Sequence, residues 1–233
     1  MSFQNAFLGS LVADAISMPV HWYYNRKSLD QDYGDFQGYC KPKAFHPDSI
    51  LWRSSYIPHG PKADILGTQT KYWGQRGIHY HQFLEAGDNT LNLQLAAELY
   101  RETIINGDFD PETWLNRYAQ VMLTPGWHQD TYAEEYHRAF FTNYSKGKSL
   151  HSCGISDYHI GGLSLVPALL AGMEAVVQIQ PSEQIEKVLN LVRLTHDHEN
   201  TLRAATDLTR ILQKLIQGES VRHTLKTTPI PGV

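Results

Sequence analysis

The sequence has few cysteines, no long apolar run and no excess of positive charge. Its 2 cysteines, Cys40 and Cys153, are too few for a disulfide framework and lack metal-site spacing, so we expect free thiols. The absence of about 18 consecutive apolar residues excludes a membrane-spanning helix by hydropathy. The net charge of -4 gives no reason to expect nucleic acid or an anionic membrane as partner. Because the N-terminus MSFQNAFLGS lacks a positive region before its apolar stretch, we expect a cytoplasmic protein.

Strand-like alternation is also scarce, and helical periodicity takes its place. A length of 233 residues with 42% hydrophobic content can bury one core, so a single domain over residues 1–233 is expected. From residue 22 to about 78 the periodicity gives way to Pro, Gly and aromatics, which indicates a long functional loop. The C-terminal TLKTTPIPGV is predicted to be non-helical. Helices are predicted over residues 5–18 (ending at Pro19), from about 90, from 110, and over 131–141, 162–177, 182–194 and 199–217.

One carboxylate falls on the apolar face of the first predicted helix. Asp14 follows Leu11 by three positions and Phe7 by seven, which directs its side chain away from solvent. A buried carboxylate must be paired or hydrogen-bonded, because an isolated buried charge is strongly unfavourable. The residue type fits either a bridge to a neighbouring helix or a place in a functional site.

The segment Asp88-Asn89-Thr90 precedes a helical leucine pattern. Its plainest interpretation is the N-cap of that helix. The alternative is a site for a hard cation, because Mg²⁺ takes oxygen ligands and adjacent Asp and Asn side chains can supply several.

The 12 histidines are many for this length, and two pairs have a His-x-His spacing. The pairs are His79 with His81 and His196 with His198, but this spacing does not share a helix face and lacks further zinc ligands. Hydrogen-bonded histidines are the favoured interpretation. The neighbouring segment KYWGQRGIHYHQFL could stack a base and hold a phosphate, or could be an aromatic packing loop.

Four stretches together resemble the ADP-ribosylglycohydrolase family in order and spacing. The His21-Trp22-Tyr23-Tyr24-Asn25 ending of the first is typical of the crystallin-J1-like branch. The first stretch is LGSLVADAISMPVHWYYN. The second stretch, LEAGDNTLNLQLAAEL, occupies the place of the family's Thr-Asp-Asp-Thr metal motif. The third, HIGGLSLVPALLAG, is similar to a Gly-rich turn plus helix that contacts ADP-ribose in relatives. The fourth, LVRLTHDHENTLRAA, resembles the family's Thr-His segment.

The resemblance implies a fold and a chemistry. The fold is all-α: a single-domain orthogonal helical bundle with a long irregular region after its first helix. Relatives use two Mg²⁺ ions to bind ADP-ribose and activate water for cleavage at the ribose C1 carbon. The resemblance assigns catalysis and metal binding to Asp88 and Asn89, and it implies that Asp14, Asp88 and His196 face one cavity. It assigns ligand binding to Asp14, His21, His159, Gly161, Gly162 and His196.

The chain departs from the family pattern at the metal ligands. His21 stands where the family has a metal-linked Glu, and Gly87-Asp88-Asn89 replaces the metal triplet. The family's closing Asp-x-Asp-Thr motif does not follow Leu194, so we expect a C-terminally truncated relative that holds one weak Mg²⁺ or none, with a homo-oligomer covering the uncapped side. We predict a metal-assisted hydrolase of ADP-ribose adducts. The alternative is a catalytically silent ADP-ribose- or nucleotide-binding protein, or a crystallin-like structural protein.

Overall fold

The structure is a computed structural model that describes residues 2–228. Two isolated bridges, Phe45 with Ile78 and Ile155 with His196, are the only β pairing in that span, so the predicted all-α class is confirmed. Within the same residues no helix is long and apolar enough to cross a membrane. The nine α-helices of the described residues are α1 Phe3–Ser17, α2 Arg26–Tyr33, α3 Leu91–Asn106, α4 Pro111–Leu123, α5 Glu135–Ser145, α6 Val166–Val176, α7 Pro181–Arg193, α8 Glu199–Ile216 and α9 Val221–Thr227.

Helix α6 lies at the centre and packs against both α1 and α3. Its side chains are apolar almost all round, and Ala168, Leu169 and Leu170 are fully buried. Gly172 of α6 allows the close approach of α3, because a Cβ there would lie 2.9 Å from Cβ of Thr103. A second layer is formed by α7 and α8, which pack against each other.

Helix α1 ends where the sequence predicted. The Ser2 side chain accepts the Asn5 N–H at its start, and a 3₁₀ turn, Met18–Val20, takes over at Pro19. The next residues reverse the chain, and Trp22 adopts a left-handed φ of 66°. The carbonyl oxygen of His21 accepts a hydrogen bond from Nε2 of His46, which ties this turn to the irregular region.

The region from residue 22 to about 78 is largely irregular, as predicted, but it contains one α-helix, α2, that the sequence analysis missed. Asn25 caps α2 by accepting the Lys27 N–H. Within residues 26–33 no side chain is buried, so α2 lacks the apolar stripe on which periodicity depends. Aromatic contacts join the rest of this region to the segment before α5. Trp73, for example, stacks on Tyr132, with ring centroids 5.5 Å apart. Cys40 and Cys153 are both free, as predicted.

Three predicted boundaries were wrong. Helix α6 begins at Val166 and not at residue 162, because a separate 3₁₀ turn, Ile160–Leu163, precedes it. Helix α5 begins at Glu135 and not near residue 131, because the Thr131 hydroxyl is held by the carbonyl oxygens of His79 and Tyr80. The C-terminal segment is helical over Val221–Thr227, where Ser220 caps α9 by accepting the His223 N–H. The part of the predicted non-helical tail after residue 228 lies outside the described residues.

The contact of α6 with α3 gives a stability prediction. Gly172→Ala should lower the free energy of unfolding by about 1–3 kcal/mol, because the new methyl group overlaps Thr103. The matched control is Gly9→Ala in α1, where a Cβ meets nothing within 4 Å. That change should raise stability by up to about 1 kcal/mol through helix propensity. Urea unfolding measures both, and equal effects of the two variants would contradict the packing of α6 on α3.

Candidate active site

A cleft of about 170 Å³ lies at the start of α3, and we call it the acidic cleft because three carboxylates line it. Its walls come from α1, the irregular region, α3, the segment before α5 and the turn before α6. Such convergence of distant segments on one concave site is typical of a binding pocket. The lining residues are Asp14, His21, Trp22, His81, Thr90, Leu91, Asn92, Leu93, Asp130, Tyr132, Glu134 and Ser164.

The Asp14 carboxylate joins α1 to the beginning of α3. One oxygen accepts the Thr90 N–H at 2.7 Å and the Asn89 side-chain amide at 3.0 Å, and the other accepts the Thr90 hydroxyl at 2.8 Å. These bonds satisfy a backbone donor at the helix start, where no intrahelical acceptor is available. Asp14 therefore bridges two helices and also lines the cleft, which combines the two alternatives that its sequence position left open.

Asp130 holds the same helix start from the opposite side. Its side chain is fully buried, and Oδ2 accepts the Leu91 N–H at 2.5 Å. The other oxygen forms a short hydrogen bond with Nδ1 of His81. The positive end of the α3 dipole stabilises a carboxylate in this place. Asp130 thus fixes the His81 ring against the first turn of α3.

Glu134 is the third carboxylate of the cleft. Its Oε2 accepts the Asn92 side-chain amide at 2.7 Å. Burial raises the pKa of Glu134 above its usual range, although the hydrogen bonds from Asn92 and Tyr136 oppose the shift. Asn92 is itself held by Tyr136 and His137, which both donate to its carbonyl oxygen. The raised pKa favours the protonated form of Glu134.

His21 lines the cleft, as Asp14 does. Its Nδ1 lies 3.0 Å from Nε2 of His81, and its Nε2 lies 3.2 Å from the Ser17 hydroxyl. Burial lowers the pKa of His21 to about 4, and the neighbouring His81 adds to the shift. The ring is consequently neutral at pH 7.

The other predicted ligand residues, Gly161, Gly162, His159 and His196, are not among those that line the cleft. A Cβ on Gly161 would come within 3.2 Å of Glu134, and one on Gly162 would overlap the His196 ring at 2.7 Å. His196 is fully buried beneath this turn and contacts Tyr136, with ring centroids 4.2 Å apart. His159 is exposed and is bound through Nδ1 to Asp157 at 2.6 Å. Both glycines therefore allow the close approach of this turn to Glu134 and His196.

Asp88 does not line the acidic cleft. It is exposed, one oxygen accepts the Glu85 N–H at 2.8 Å, and it borders a separate groove of about 550 Å³ with Asn89 and Gln129. Asn89 borders this groove and also contacts Asp14 of the acidic cleft. Its side-chain nitrogen donates to the Asp14 carboxylate and to the Leu11 carbonyl oxygen. Asp14, Asp88 and His196, expected to face one cavity, have three different surroundings.

The predicted metal residues provide fewer carboxylates than a two-magnesium site requires. Across residues 2–228, no three His, Cys, Asp or Glu side chains are grouped so that they could hold a metal ion. Asp14 already accepts three hydrogen bonds, and Asp130 is bound to Leu91 and His81. The described residues therefore do not fit a two-magnesium site, and Asp88 with Asn89 offers oxygens for one ion at most.

The remaining polar candidates are occupied by structural contacts. The guanidinium group of Arg76 lies 3.7 Å from the Trp52 ring centre, and Lys71 lies 5.1 Å from that of Tyr72. Neither cation lines the cleft. His79 binds the Pro19 carbonyl oxygen, and His198 caps α8 by accepting the Asn200 N–H. These contacts agree with the interpretation of KYWGQRGIHYHQFL as an aromatic packing loop. They also agree with the interpretation of the His-x-His pairs as hydrogen-bonded histidines.

Asp130, Glu134 and Asn92 are among the polar cleft residues that sequence reasoning missed. Acidic residues in the non-periodic stretch before α5 were the available signal, because loop carboxylates next to a helix often serve a site. Asn92 gave none, since a polar residue in a first helical turn is ordinary.

The fold and the cleft define a helical protein with a carboxylate-lined cleft at one helix start. The family model for ADP-ribosylglycohydrolase matches residues 2–230. The chain belongs to this family. Comparison with curated proteins and with solved structures finds no significant match.

The buried histidines predict an acid limit to stability. Burial lowers the pKa of His79 to about 3 and that of His196 to about 4, whereas the unfolded chain titrates near 6.5. Between these values the unfolded state binds more protons, so stability should fall as the pH drops from 6.5 toward 4. For each of these two imidazoles, the free energy of unfolding should fall by up to about 1.4 kcal/mol per pH unit in that range.

His79→Gln tests this linkage. Urea unfolding across that pH window should show a slope smaller by up to one proton in the variant, because one depressed imidazole is gone. His59→Gln at an exposed position is the control and should keep the wild-type slope. An unchanged slope in His79→Gln would mean that His79 is not held neutral.

Proposed function

We propose that the protein is a glycoside hydrolase that cleaves the bond between the C1 carbon of ADP-ribose and its acceptor, and that the reaction takes place in the acidic cleft. Family membership supports the substrate class. The observation that carries the proposal is that one cleft combines a carboxyl of raised pKa, Glu134, with the Asp14 carboxylate and the neutral His21 ring.

Glu134 is proposed as the general acid. Burial raises the pKa of this carboxyl and so favours its protonated form, which can donate a proton to a leaving group. The Asn92 amide orients Glu134, and Tyr136 and His137 in turn fix Asn92. This support limits the rotation of the acid toward solvent.

Asp14 is proposed to bind the ribose. A carboxylate offers about four acceptor positions, and three are used by Thr90 and Asn89. One position therefore remains for a ribose hydroxyl. The cleft of about 170 Å³ is smaller than the roughly 300–1,000 Å³ of typical ligand sites, so it would hold the reacting sugar while the adenosine part lies outside. The Gly161–Gly162 turn and exposed His159 are the proposed contacts for that part.

A magnesium ion remains part of the proposal only at Asp88 and Asn89. When bound, Mg²⁺ would supply charge for substrate phosphates or hydroxyls. The Asn89 carbonyl oxygen is available because its amide nitrogen makes the contacts with Asp14 and Leu11. The crystallin-J1-like branch, cytoplasmic location and homo-oligomer also stay predictions.

A catalytically silent ADP-ribose-binding protein is the second candidate. It is favoured by one observation: Asp88 borders a groove apart from the cleft that contains Asp14. A silent relative would bind ADP-ribose in calorimetry without releasing it from any adduct. A crystallin-like structural protein would show no heat on that titration.

Glu134→Gln is the direct test of the hydrolase. The glutamine can still accept the Asn92 amide but cannot donate an acidic proton, so the rate of ADP-ribose release should fall about 100- to 10,000-fold. The matched control is Glu135→Gln at the adjacent exposed position, which should keep the wild-type rate. Full activity in Glu134→Gln, measured with ADP-ribosylated protein, would reject Glu134 as the acid.

Asp88→Asn tests the cation. Calorimetric titration with Mg²⁺ should show weak binding to the wild-type protein and no heat with the variant, because the only carboxylate of the predicted pair is lost. Asp35→Asn, a change of another exposed carboxylate, should leave the heat unchanged. Equal heats for Asp88→Asn and wild type would place any magnesium elsewhere.

A further inference from the structure

Trp22 has an unfavourable backbone conformation. Within residues 2–228 it is the one residue other than glycine with a positive φ, which is 66°. Contact between Cβ and the backbone makes this left-handed region costly for L residues, and most of all for bulky ones. Glycine or asparagine would adopt it more easily. A tryptophan held in this conformation beside a cleft therefore indicates a functional constraint on the side chain.

Hydrogen bonds hold this turn on both sides of Trp22. The carbonyl oxygen of the preceding residue accepts a hydrogen bond from Nε2 of His46 at 2.9 Å. On the other side, Oδ2 of Asp48 accepts the N–H groups of Tyr24 at 3.1 Å and Asn25 at 2.8 Å. The chain cannot relax to an ordinary φ without disturbing these bonds. The surrounding structure therefore maintains the strained conformation, as it must wherever such strain persists.

The indole of Trp22 lines the acidic cleft and is only partly covered. Its exposed fraction is 40%, whereas that of Trp114 is 2% and that of Trp73 is 8%. The Trp22 ring contacts Tyr80 and Tyr132, with centroid distances of 5.3 Å and 6.0 Å. These two rings fix the position of the indole without burying it. The cleft therefore presents a fixed apolar surface to whatever it binds.

A sugar ring has two kinds of surface, and the cleft matches both. The hydroxyl groups of a ribose form hydrogen bonds at its edges, and its C–H groups form apolar faces. Asp14 keeps one acceptor position for a hydroxyl after its bonds with Thr90 and Asn89. The Trp22 indole offers the apolar partner for a C–H face. Aromatic side chains combined with a few placed polar groups are the usual lining of a ligand site.

We propose that the indole of Trp22 packs against the C–H face of the reacting ribose, whose C1 carbon carries the acceptor. The strained turn serves to direct the indole into the cleft. The proposal rests on the proposed function for the identity of the ligand, and it adds the residue that orients the sugar ring. Trp22 is a binding residue and takes no part in proton transfer.

Tryptophan fluorescence of the full chain tests the contact with three ligands. ADP-ribose should change the emission of wild type, because the sugar replaces water at the exposed indole. Ribose 5-phosphate, which contains the reacting ribose without the adenosine, should give a change of the same kind at higher concentration. AMP lacks the reacting ribose and should leave the emission unchanged. No change with ribose 5-phosphate, or a larger change with AMP, would overturn the proposed contact.

Trp22→Asn removes the indole and keeps the turn, because asparagine tolerates the left-handed conformation. The fluorescence change with ADP-ribose should disappear, and calorimetry should show a Kd raised about 10- to 100-fold. The chain has 5 tryptophans, and Trp52→Phe is the matched control. Trp52 does not line the cleft, and its ring is covered by the guanidinium group of Arg76 at 3.7 Å. The control should keep the wild-type Kd and fluorescence change, and a wild-type Kd in Trp22→Asn would reject the proposal.

Comparison with Trp22→Ala separates the strained turn from the lost ring. Both variants lose the indole, but alanine adopts a positive φ less readily than asparagine. Urea unfolding should therefore show Trp22→Ala to be less stable than Trp22→Asn. Equal stability of the two variants would contradict the strained turn on which the proposal depends. The three wild-type titrations need no variant, so they decide the proposal even if neither variant folds.

Activity measurements separate this contact from the proposed function. With ADP-ribosylated protein as substrate, Trp22→Asn should lower kcat/KM about 10- to 100-fold, because the sugar is bound less tightly and less well oriented. An active wild type with an equally active Trp22→Asn would overturn the contact and leave the hydrolase supported. A wild type that binds ADP-ribose through Trp22 but releases none from the adduct would overturn the hydrolase and leave the contact supported.

Discussion

The first turn of α3 is the point on which the rest of the structure depends. A helix start exposes backbone N–H groups that have no partner within the helix. Here the Thr90 N–H is taken by Asp14 from α1, and the Leu91 N–H by Asp130 from the segment before α5. Two segments distant in sequence are thereby fixed at one end of one helix. The cleft is the space that this arrangement encloses.

The environment gives the cleft residues different chemical properties. Asp130 is fully buried yet hydrogen-bonded at both oxygens, whereas burial dominates at Glu134 and raises its pKa. A carboxyl suited to donate a proton and a carboxylate suited to stabilise a cation can therefore share one small site. His21 and His79 are neutral at pH 7 because burial disfavours their charged form.

Much of the helical order could be predicted from the sequence, because it depends on local patterns. The end of α1 at Pro19 and the start of α4 after Asp110 follow from proline geometry and capping. Helix α2 was missed because its side chains are not buried, and periodicity reports burial. The start of α5 was misplaced because Thr131 is held by carbonyl oxygens of a segment some fifty residues earlier.

The sequence by itself determined the helical class, the family resemblance and the presence of Asp14 and His21 in the site region. Tertiary structure alone decided which polar residues meet, because that depends on contacts such as the one between His81 and Asp130, which are 49 positions apart. It also separated Asp88 from the cleft, although Asn89 beside it touches Asp14. Local pattern identifies residues able to do chemistry, and only the packed chain brings them within hydrogen-bonding distance.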